Sequence, residues 1–276
     1  MKKNISILII FLSLLLSQSE QPYPPITLVS IPTAGTMPKG YFSFENIFLN
    51  QGSIVPKFMI GITDNFMLGM SFGISNFIGN GDMQKFRSYP EVQIKYRLFD
   101  ETDKIPAIVL GIDTQGRGEF TEKEEVCIIN DDGLENCEEK ILNRYDQKSY
   151  GFYVALSRNF SALGNLGFHF GLNKNLSEND DDDDDINIFF GFDKEINRSF
   201  SLYGEYNFAR DDDYYTGDES IEDILDRKGK GYLNAGLRWS ASNNLMIEMN
   251  LNDISKNNKV YDSVNRELKI IYFESF

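Results

Sequence analysis

The chain has 276 residues, with 22 Phe and 14 Tyr against one Trp, and a formal net charge of −15 at pH 7. This charge excludes nucleic acid as a partner, because phosphate binding needs a basic surface. The abundance of aromatic residues favours β structure over helix. A mean hydropathy of −0.33 is typical of a soluble protein and equally of a transmembrane β-barrel, in which only every second strand residue faces lipid.

The N-terminus carries an export signal. Lys2 and Lys3 precede an apolar run at 7–16, and small or polar residues follow at 17–19. This pattern predicts a cleavable signal peptide over residues 1–19, since the apolar run is too short for a membrane helix of about 20 residues. Residues 20–40 hold five prolines and no period. We interpret them as an extended periplasmic lead-in, with entry into the lumen as the alternative course.

The stretch 66–75 defines the pattern that the rest of the chain repeats. Phe66, Leu68, Met70, Phe72 and Ile74 alternate with small or mostly polar residues. About ten residues of this period form a strand that can cross a bilayer, with lipid on one side and lumen on the other. The same alternation predicts twelve strands near 41–49, 54–62, 66–75, 91–98, 107–117, 151–157, 166–172, 186–195, 202–208, 233–239, 245–251 and 267–272. A bulge is expected near Glu45, where the apolar positions change parity.

Connection lengths give an independent indication. Short links at 63–65, 100–106, 161–165, 197–199 and 241–244 alternate with long ones at 76–89, 118–148, 173–185, 210–230 and 252–265. Outer-membrane barrels have this asymmetry, with tight periplasmic turns and longer outer loops. The sequence therefore predicts an all-β fold, a transmembrane antiparallel up-and-down β-barrel of about 12 strands over residues 41–276, in contact with outer-membrane lipid and lipopolysaccharide.

The parity of each strand also predicts which charged residues face the lumen. Both signs occur among them, so they either line a narrow wet channel or pair across the lumen and close it. We favour ion pairs, because a strongly selective pore would cluster one sign. The lumen-lining candidates are Lys57, Glu91, Lys95, Arg97, Asp113, Arg117, His169, Asp193, Glu205, Arg238, Glu248 and Lys269, together with Glu195 and Glu267.

No signal for catalysis is found. His169, the single histidine, falls on the inward parity, whereas a barrel lipase would place its Ser–His pair at the lipid-facing surface. A lumenal hydrogen-bonding role is the expectation for it. Phosphate-cradling glycine loops, zinc spacings and nucleophile elbows are also missing from the sequence, so we expect no enzymatic activity and no cofactor.

Two features of the outer loops point to local chemistry. Cys127 and Cys137 bracket an Asp-Gly turn signal, which predicts a disulfide in an oxidising compartment, with two unpaired thiols as the alternative. Six consecutive aspartates favour a solvated, self-repelling loop. The alternative is weak Ca²⁺ or Mg²⁺ binding, although the spacing matches no calcium-loop signature. These residues are Asp180, Asp181, Asp182, Asp183, Asp184 and Asp185.

Four segments resemble the YjbH-like outer-membrane family, which is linked to exopolysaccharide production. They are IPTAG at 31–35, PKG at 38–40, YPEVQIKYRL at 89–98 and PAIVLGIDTQGRG at 106–118. The resemblance implies an envelope barrel associated with polysaccharide export or surface organisation, with the polysaccharide export machinery as a partner. It supplies no catalytic residues. Two alternatives stay open: a small-solute channel with a charged lumen, and a surface adhesin or structural barrel. The oligomeric state is left open.

Overall fold

A computed structural model describes residues 23–129, 135–178, 180, 183, 185–212, 229–258 and 263–276. The predicted signal peptide, residues 1–19, lies outside the described residues. Within these ranges no helix is long and apolar enough to cross a membrane.

Twelve antiparallel strands form a closed barrel, as the alternating pattern predicts. Closure follows from β1 (Tyr41–Phe48), which pairs with both its chain neighbour β2 (Ile54–Thr63) and the last strand, β16 (Asn265–Ser275). The remaining barrel strands, each paired with the next, are β3 (Phe66–Ser71), β6 (Glu91–Phe99), β7 (Ala107–Asp113), β10 (Gly151–Ser161), β11 (Asn165–Lys174), β12 (Asn187–Glu195), β13 (Phe200–Asn207), β14 (Tyr232–Ser242) and β15 (Leu245–Asn252).

The outward face of the barrel is an apolar belt. In β3, Leu68 and Met70 are exposed while Met67 and Ser71 are buried, so lipid lies on the side that a soluble sheet would cover with protein. The same alternation continues around the ring, with Phe170 and Phe190 exposed and directly paired. A closed ring satisfies every strand edge, which hydrocarbon requires because it offers no water to pair with backbone groups. The protein is therefore an outer-membrane β-barrel.

The connections divide into two classes, as predicted. Tight turns such as Asp64–Asn65 and Asn243–Asn244 lie at one end, which we call the periplasmic end, and both barrel termini lie there. Longer connections lie at the opposite, outer end. One of them carries a short ribbon, β4 (Ile74–Ser75) with β5 (Gln84–Lys85).

Two sequence expectations are wrong in detail. No bulge occurs near Glu45, because β1 pairs without a register shift on both sides; Ile47 changes parity because it packs inward on an apolar cluster with Val55 and Tyr145. The stretch 118–148 is also more ordered than a polar loop. It contains the hairpin of β8 (Arg117–Ile129) and β9 (Glu135–Gln147), which has few buried apolar side chains, such as Leu142 and Tyr145, to reveal it.

Residues 23–38 form a hairpin inside the barrel, which we call the plug hairpin. Its two arms are joined by a bridge between Thr27 and Pro32 and by the bond from Leu28 N–H to the carbonyl of Ile31, 3.1 Å. Gly35 lets the arms approach, because a Cβ there would collide with the backbone of Pro25. Of the two courses open to the proline-rich lead-in, the described residues take the lumenal one.

Candidate functional site

The tip of the plug hairpin is held by one carboxylate. Glu205, on β13, accepts hydrogen bonds from the backbone N–H groups of Val29 (2.8 Å), Ser30 (2.8 Å) and Ile31 (3.2 Å), and from the Ser30 hydroxyl (2.5 Å). Three backbone donors turned toward one anion form a small nest. Because hydrogen bonds to a charged group are stronger than neutral ones, Glu205 is a main anchor of the tip.

The arms of the hairpin are held by cations of the barrel wall. The Lys95 ammonium donates to the carbonyls of Ile26 (2.5 Å), Thr33 (3.0 Å) and Gly35 (3.3 Å). Arg238 donates to the carbonyl of Thr27 at 3.1 Å. The wall cations therefore bind backbone carbonyl groups of the hairpin, and these contacts do not depend on the identity of the hairpin side chains.

A second set of charges pairs within the wall itself. Arg238 donates to Glu248 at 2.6 Å, and Glu248 also lies 3.1 Å from the Lys269 ammonium, which in turn lies 3.8 Å from Glu45. Arg117 pairs with Glu267 and also contacts the carbonyl of Val29. These pairs satisfy buried charges that would otherwise be costly.

The remaining lumen candidates lie nearer the two ends. At the outer end, Glu91 pairs with Arg87 at 3.1 Å, and Asp113 accepts the Gln93 amide at 3.1 Å. At the periplasmic end, Arg97 pairs with Asp100 at 3.0 Å and contacts Thr36 of the plug hairpin.

Lys57 differs from the other lumen candidates. It is buried and lines a cavity at the outer end of the barrel. Among the described residues it makes neither a hydrogen bond nor an ion pair.

His169 lies in a Ser–His–Asp series inside the barrel. Ser157 Oγ is 2.7 Å from Nδ1 of His169, whose Nε2 is 2.8 Å from Asp193. The series resembles a catalytic triad in composition, but Ser157 Oγ accepts the backbone N–H of Ala34 at 2.8 Å, so the plug hairpin covers it. The arrangement thus ties the hairpin to β10, β11 and β12, and it leaves no path for a substrate while the hairpin is in place.

Above the plug tip lies a cavity, which we call the outer vestibule. Its volume is about 840 Å³, including the part open to solvent. The floor is formed by Thr27, Val29 and Ser30 of the plug hairpin, and the wall carries both amide and aromatic groups. The wall residues include Tyr150, Asn173, Asn187, Asn207, Asp211 and Tyr232.

Three of these wall amides form a connected row on neighbouring strands. Asn187 donates to Asn173 at 2.9 Å and to Asn207 at 2.6 Å, and Asn207 donates to the Tyr150 hydroxyl at 3.3 Å. Asn173 and Asn187 each use both amide hydrogens in bonds to the protein, whereas Asn207 donates only once and keeps one N–H for a ligand. The row thus holds Asn207 in a fixed orientation at the vestibule wall.

The outer hairpin β8–β9 is tied down over the vestibule by buried carboxylates. Glu178 accepts the backbone N–H groups of Tyr145 (2.9 Å) and Ser149 (3.0 Å), and the Tyr145 hydroxyl donates to Glu91 at 2.7 Å. Burial and the neighbouring Glu91 carboxylate raise the pKa of Tyr145. The rim of the vestibule is therefore a fixed structure.

Asp211, on the vestibule wall after β13, is a proton-linked group. Burial first, and then the adjacent Asp212 carboxylate, raise the pKa of Asp211 to about 7, against a smaller opposing effect of Lys148. Between pH 4 and 7 the native side chain holds a proton that the unfolded chain has lost. Stability therefore falls as the pH rises through this window.

We expect Asp211→Asn to remove this pH dependence, because the amide mimics the protonated acid. In equilibrium urea unfolding followed by fluorescence of Trp239, the single tryptophan, the variant should gain stability relative to the natural protein from pH 5 to pH 8. Parallel pH profiles for the two proteins would contradict the assignment. Asp103→Asn, at an exposed periplasmic turn, serves as the control.

Two predicted sites lie largely beyond what the structure describes. The backbone register places Cys127 directly opposite Cys137, but the side chain of Cys127 lies outside the described residues, and the disulfide stays a prediction. Of the aspartate run, 181, 182 and 184 lie outside the described residues. Asp180 accepts the Asn143 amide at 2.6 Å, and no group of metal-ligating side chains is found in the described ranges, so the cation site also stays a prediction.

Sequence reasoning missed the amide row and the anchoring role of Glu178. The sequence does contain a signal for the row. Asn173, Asn187 and Asn207 each lie at the outer end of a strand, at a position that faces the lumen. Glu178 has none, because its partners are backbone groups about 30 residues away.

Comparison with known proteins gives structural likeness only. No known family profile matches the chain, and no curated protein matches it. Among solved structures, the chain is similar to the KdgM porin (6% identity, TM-score 0.45, covering 86% of this chain and 99% of that one). It is also similar to the KdgM porin in complex with disordered oligogalacturonate (9% identity, TM-score 0.46, covering 86% of this chain and 99% of that one). A third similar structure is the NanC porin (10% identity, TM-score 0.41, covering 84% of this chain and 99% of that one). None carries the YjbH name, so that resemblance stays a prediction.

Proposed function

We propose that this barrel acts at the cell surface by holding a saccharide segment in the outer vestibule, in association with polysaccharide export or surface organisation. The observation that carries the proposal is the vestibule itself, a cavity open at the outer end with a closed floor and a wall of oriented amides and tyrosines. A closed floor makes it a binding site rather than a passage.

The chemistry of the wall suits a polyhydroxylated ligand. Sugar hydroxyls are donors and acceptors at once, and amide side chains offer both in one planar group. The tyrosines at positions 150 and 232 add aromatic faces beside this row, which suits the apolar faces of sugar rings. Small-molecule sites commonly combine a concave apolar surface with a few placed polar groups.

Calorimetric titration of the purified full chain in detergent tests the proposal. Neutral glucan oligomers and acidic uronic-acid oligomers should be titrated separately, and binding of at least one class is expected. Asn207→Leu should weaken it about fivefold to tenfold, because at least one ligand hydrogen bond is lost. The matched control is Asn159→Leu, at the periplasmic end of β10. Absence of heat with both classes, or equal weakening by both variants, would refute vestibule binding.

A genetic test addresses the wider role. If the barrel serves export, deleting its gene should reduce surface polysaccharide, and Asn207→Leu should reproduce part of the loss at unchanged barrel abundance. Normal polysaccharide in the deletion strain would leave vestibule binding without an export role.

A second candidate, a small-solute channel, is favoured by one specific observation. What fills the lumen is the plug hairpin of residues 23–38, a segment separate from the strands of the wall. A barrel of twelve strands is wider than the eight-stranded barrels whose own side chains fill the interior. A channel function therefore requires the hairpin to leave the lumen.

A further inference from the structure

We infer that the plug hairpin is a gate, a tethered ligand of the lumen that withdraws toward the periplasm and leaves a continuous, weakly charge-selective channel through the barrel. The inference rests on the channel candidate and supplies its mechanism. Four observations carry it: how the hairpin is bound, what remains when it leaves, which way it can leave, and which charges it uncovers.

The hairpin is bound as a ligand is bound. Its arms pair with each other through Thr27 and Pro32, and no strand of the barrel includes it in a ladder. The wall holds it mainly through side chains, above all Glu205 at the tip and Lys95 along the arms. Side-chain anchors can be released one by one, whereas a strand in a closed sheet cannot leave without opening the ring.

The wall keeps its own charge pairs without the hairpin. Glu248 remains between Arg238 and Lys269, and Arg117 remains with Glu267. Asp193 keeps its hydrogen bond to His169. These wall pairs therefore persist when the hairpin leaves, while withdrawal also exposes apolar wall residues such as Phe189 and Ile271, which pack in the same clusters as the hairpin.

Both arms of the hairpin point to the periplasmic end. Tyr23 of the first arm packs edge-to-face on Phe273 near the end of β16, with ring centroids 5.6 Å apart. At the end of the second arm, the N–H of Lys39 donates to Asp64 in the β2–β3 turn at 3.1 Å. Of the hairpin, only Thr27, Val29 and Ser30, at and beside its tip, line the vestibule. The hairpin can thus slide out without threading a chain end through the barrel.

Gly40 is the pivot between hairpin and wall. Its φ is +78°, a conformation that favours glycine. Its N–H donates to the carbonyl of Gly61 at 3.0 Å, which fixes the root of the hairpin to β2, and the segment before it can change direction at this glycine once its own contacts to the wall are broken.

Apolar contacts make the closed state dominant at rest. Leu28, Ile31 and Met37 are fully buried, and two of them lie close over Gly191, where a Cβ would come within 2.6 Å of Leu28 and 2.7 Å of Ile31. Any withdrawal exposes these side chains, so the open state is a minor one until the anchors are weakened.

Withdrawal uncovers charges of both signs. Glu205 loses its backbone donors and Lys95 loses its carbonyl acceptors, and neither has an ion pair within hydrogen-bond distance among the described residues. Arg117 and Arg238 also lose hairpin carbonyls but keep their carboxylate partners, so the two charges that withdrawal leaves without a partner have opposite signs. The open channel should therefore discriminate little between small cations and anions.

Single-channel recording in planar bilayers tests the gate, using the full chain. The natural protein should be closed most of the time, with rare steps. Glu205→Gln should raise the open fraction about tenfold or more, because the charged acceptor of the tip is lost. The matched control is Glu195→Gln, which changes a glutamate at the periplasmic end of β12 whose carboxylate accepts the N–H of Asn165 and should leave the open fraction unchanged.

A reversible lock makes the test independent of how well one variant folds. Ala34→Cys with Ser157→Cys places thiols at positions where the backbone and side chain are hydrogen-bonded at 2.8 Å. The oxidised double variant should be silent, and reduction should restore steps with a reversal potential near zero in a KCl gradient. The natural protein with and without reductant controls for Cys127 and Cys137, and heat-modifiable migration on gels verifies the folded barrel.

The outcomes separate the gate from the surface function. Equal currents in the oxidised and reduced double variant would overturn the gate, as would silence of both the reduced protein and Glu205→Gln. A permanently open natural protein would also overturn it. Saccharide binding is measured by calorimetry, which does not depend on current. Evidence against the gate therefore leaves saccharide binding in the vestibule unaffected, and evidence against saccharide binding leaves the gate unaffected.

Discussion

Replacing Arg238 with Met is expected to lower the free energy of unfolding by about 3 kcal/mol, because removing one partner of a buried ion pair leaves the other charge uncompensated. Glu248 is fully buried, and Arg238 donates to it at 2.6 Å. The Lys269 ammonium, 3.1 Å from Glu248, keeps the loss at the lower end of the range for buried pairs. Equilibrium unfolding in urea from lipid vesicles, followed by Trp239 fluorescence, measures the change.

Two comparisons make this prediction specific. Arg238→Met combined with Glu248→Gln should recover part of the loss, because the stranded charge is gone. Lys123→Met removes an ion pair to Glu139 in which the two side chains are 52% and 64% exposed, and it should cost under about 1 kcal/mol. If Arg238→Met and Lys123→Met cost the same, the buried network does not stabilise the barrel.

Placing an arginine on the apolar belt is expected to have an effect of similar size. Phe170 lies in the middle of β11, is 47% exposed, and faces Phe190 across the strand pair. A charged side chain at the middle of a lipid-facing strand costs about 2–4 kcal/mol. Phe170→Arg should therefore lower the free energy of unfolding from vesicles by about that amount, measured by the same unfolding titration.

The control for the belt is a site on the same surface beyond the bilayer. Leu163 lies in the turn between β10 and β11 and is fully exposed. Leu163→Arg should change stability by less than about 0.5 kcal/mol, because water and head groups solvate the charge there. A large loss at Leu163, or none at Phe170, would place the bilayer elsewhere on the barrel.

The barrel could be predicted from sequence because its physics is local. Each strand must alternate between lipid and lumen, so Leu68 and Met70 reveal their orientation by spacing alone, and the same rule repeats in every strand. The alternation of short and long connections also indicates which end of the barrel faces the periplasm. Where an inward residue is apolar, as Ile47 is, the rule gives the wrong parity and predicts a bulge that does not exist.

The plug and the vestibule lie beyond such reasoning because their contacts are long-range. Ser30 and Glu205 are 175 residues apart in the chain, and the sequence around either residue does not indicate its partner. The prolines of the lead-in remove periodicity without indicating where the segment lies. The β8–β9 hairpin escapes notice for a related reason: the buried apolar side chains near its base, such as Leu142 and Tyr145, are too few to form an alternating face.

The root of the plug hairpin lies at the seam where the barrel closes. The last residue, Phe276, donates its backbone N–H to the carbonyl of Gly40 at 2.8 Å, and β1 begins at the next residue and pairs with β16. The C-terminal residue therefore reaches the base of the hairpin only once the first and last strands have met. The seam of the ring and the root of the hairpin therefore share one set of contacts, and whatever opens the first and last strands also releases the base on which the hairpin stands.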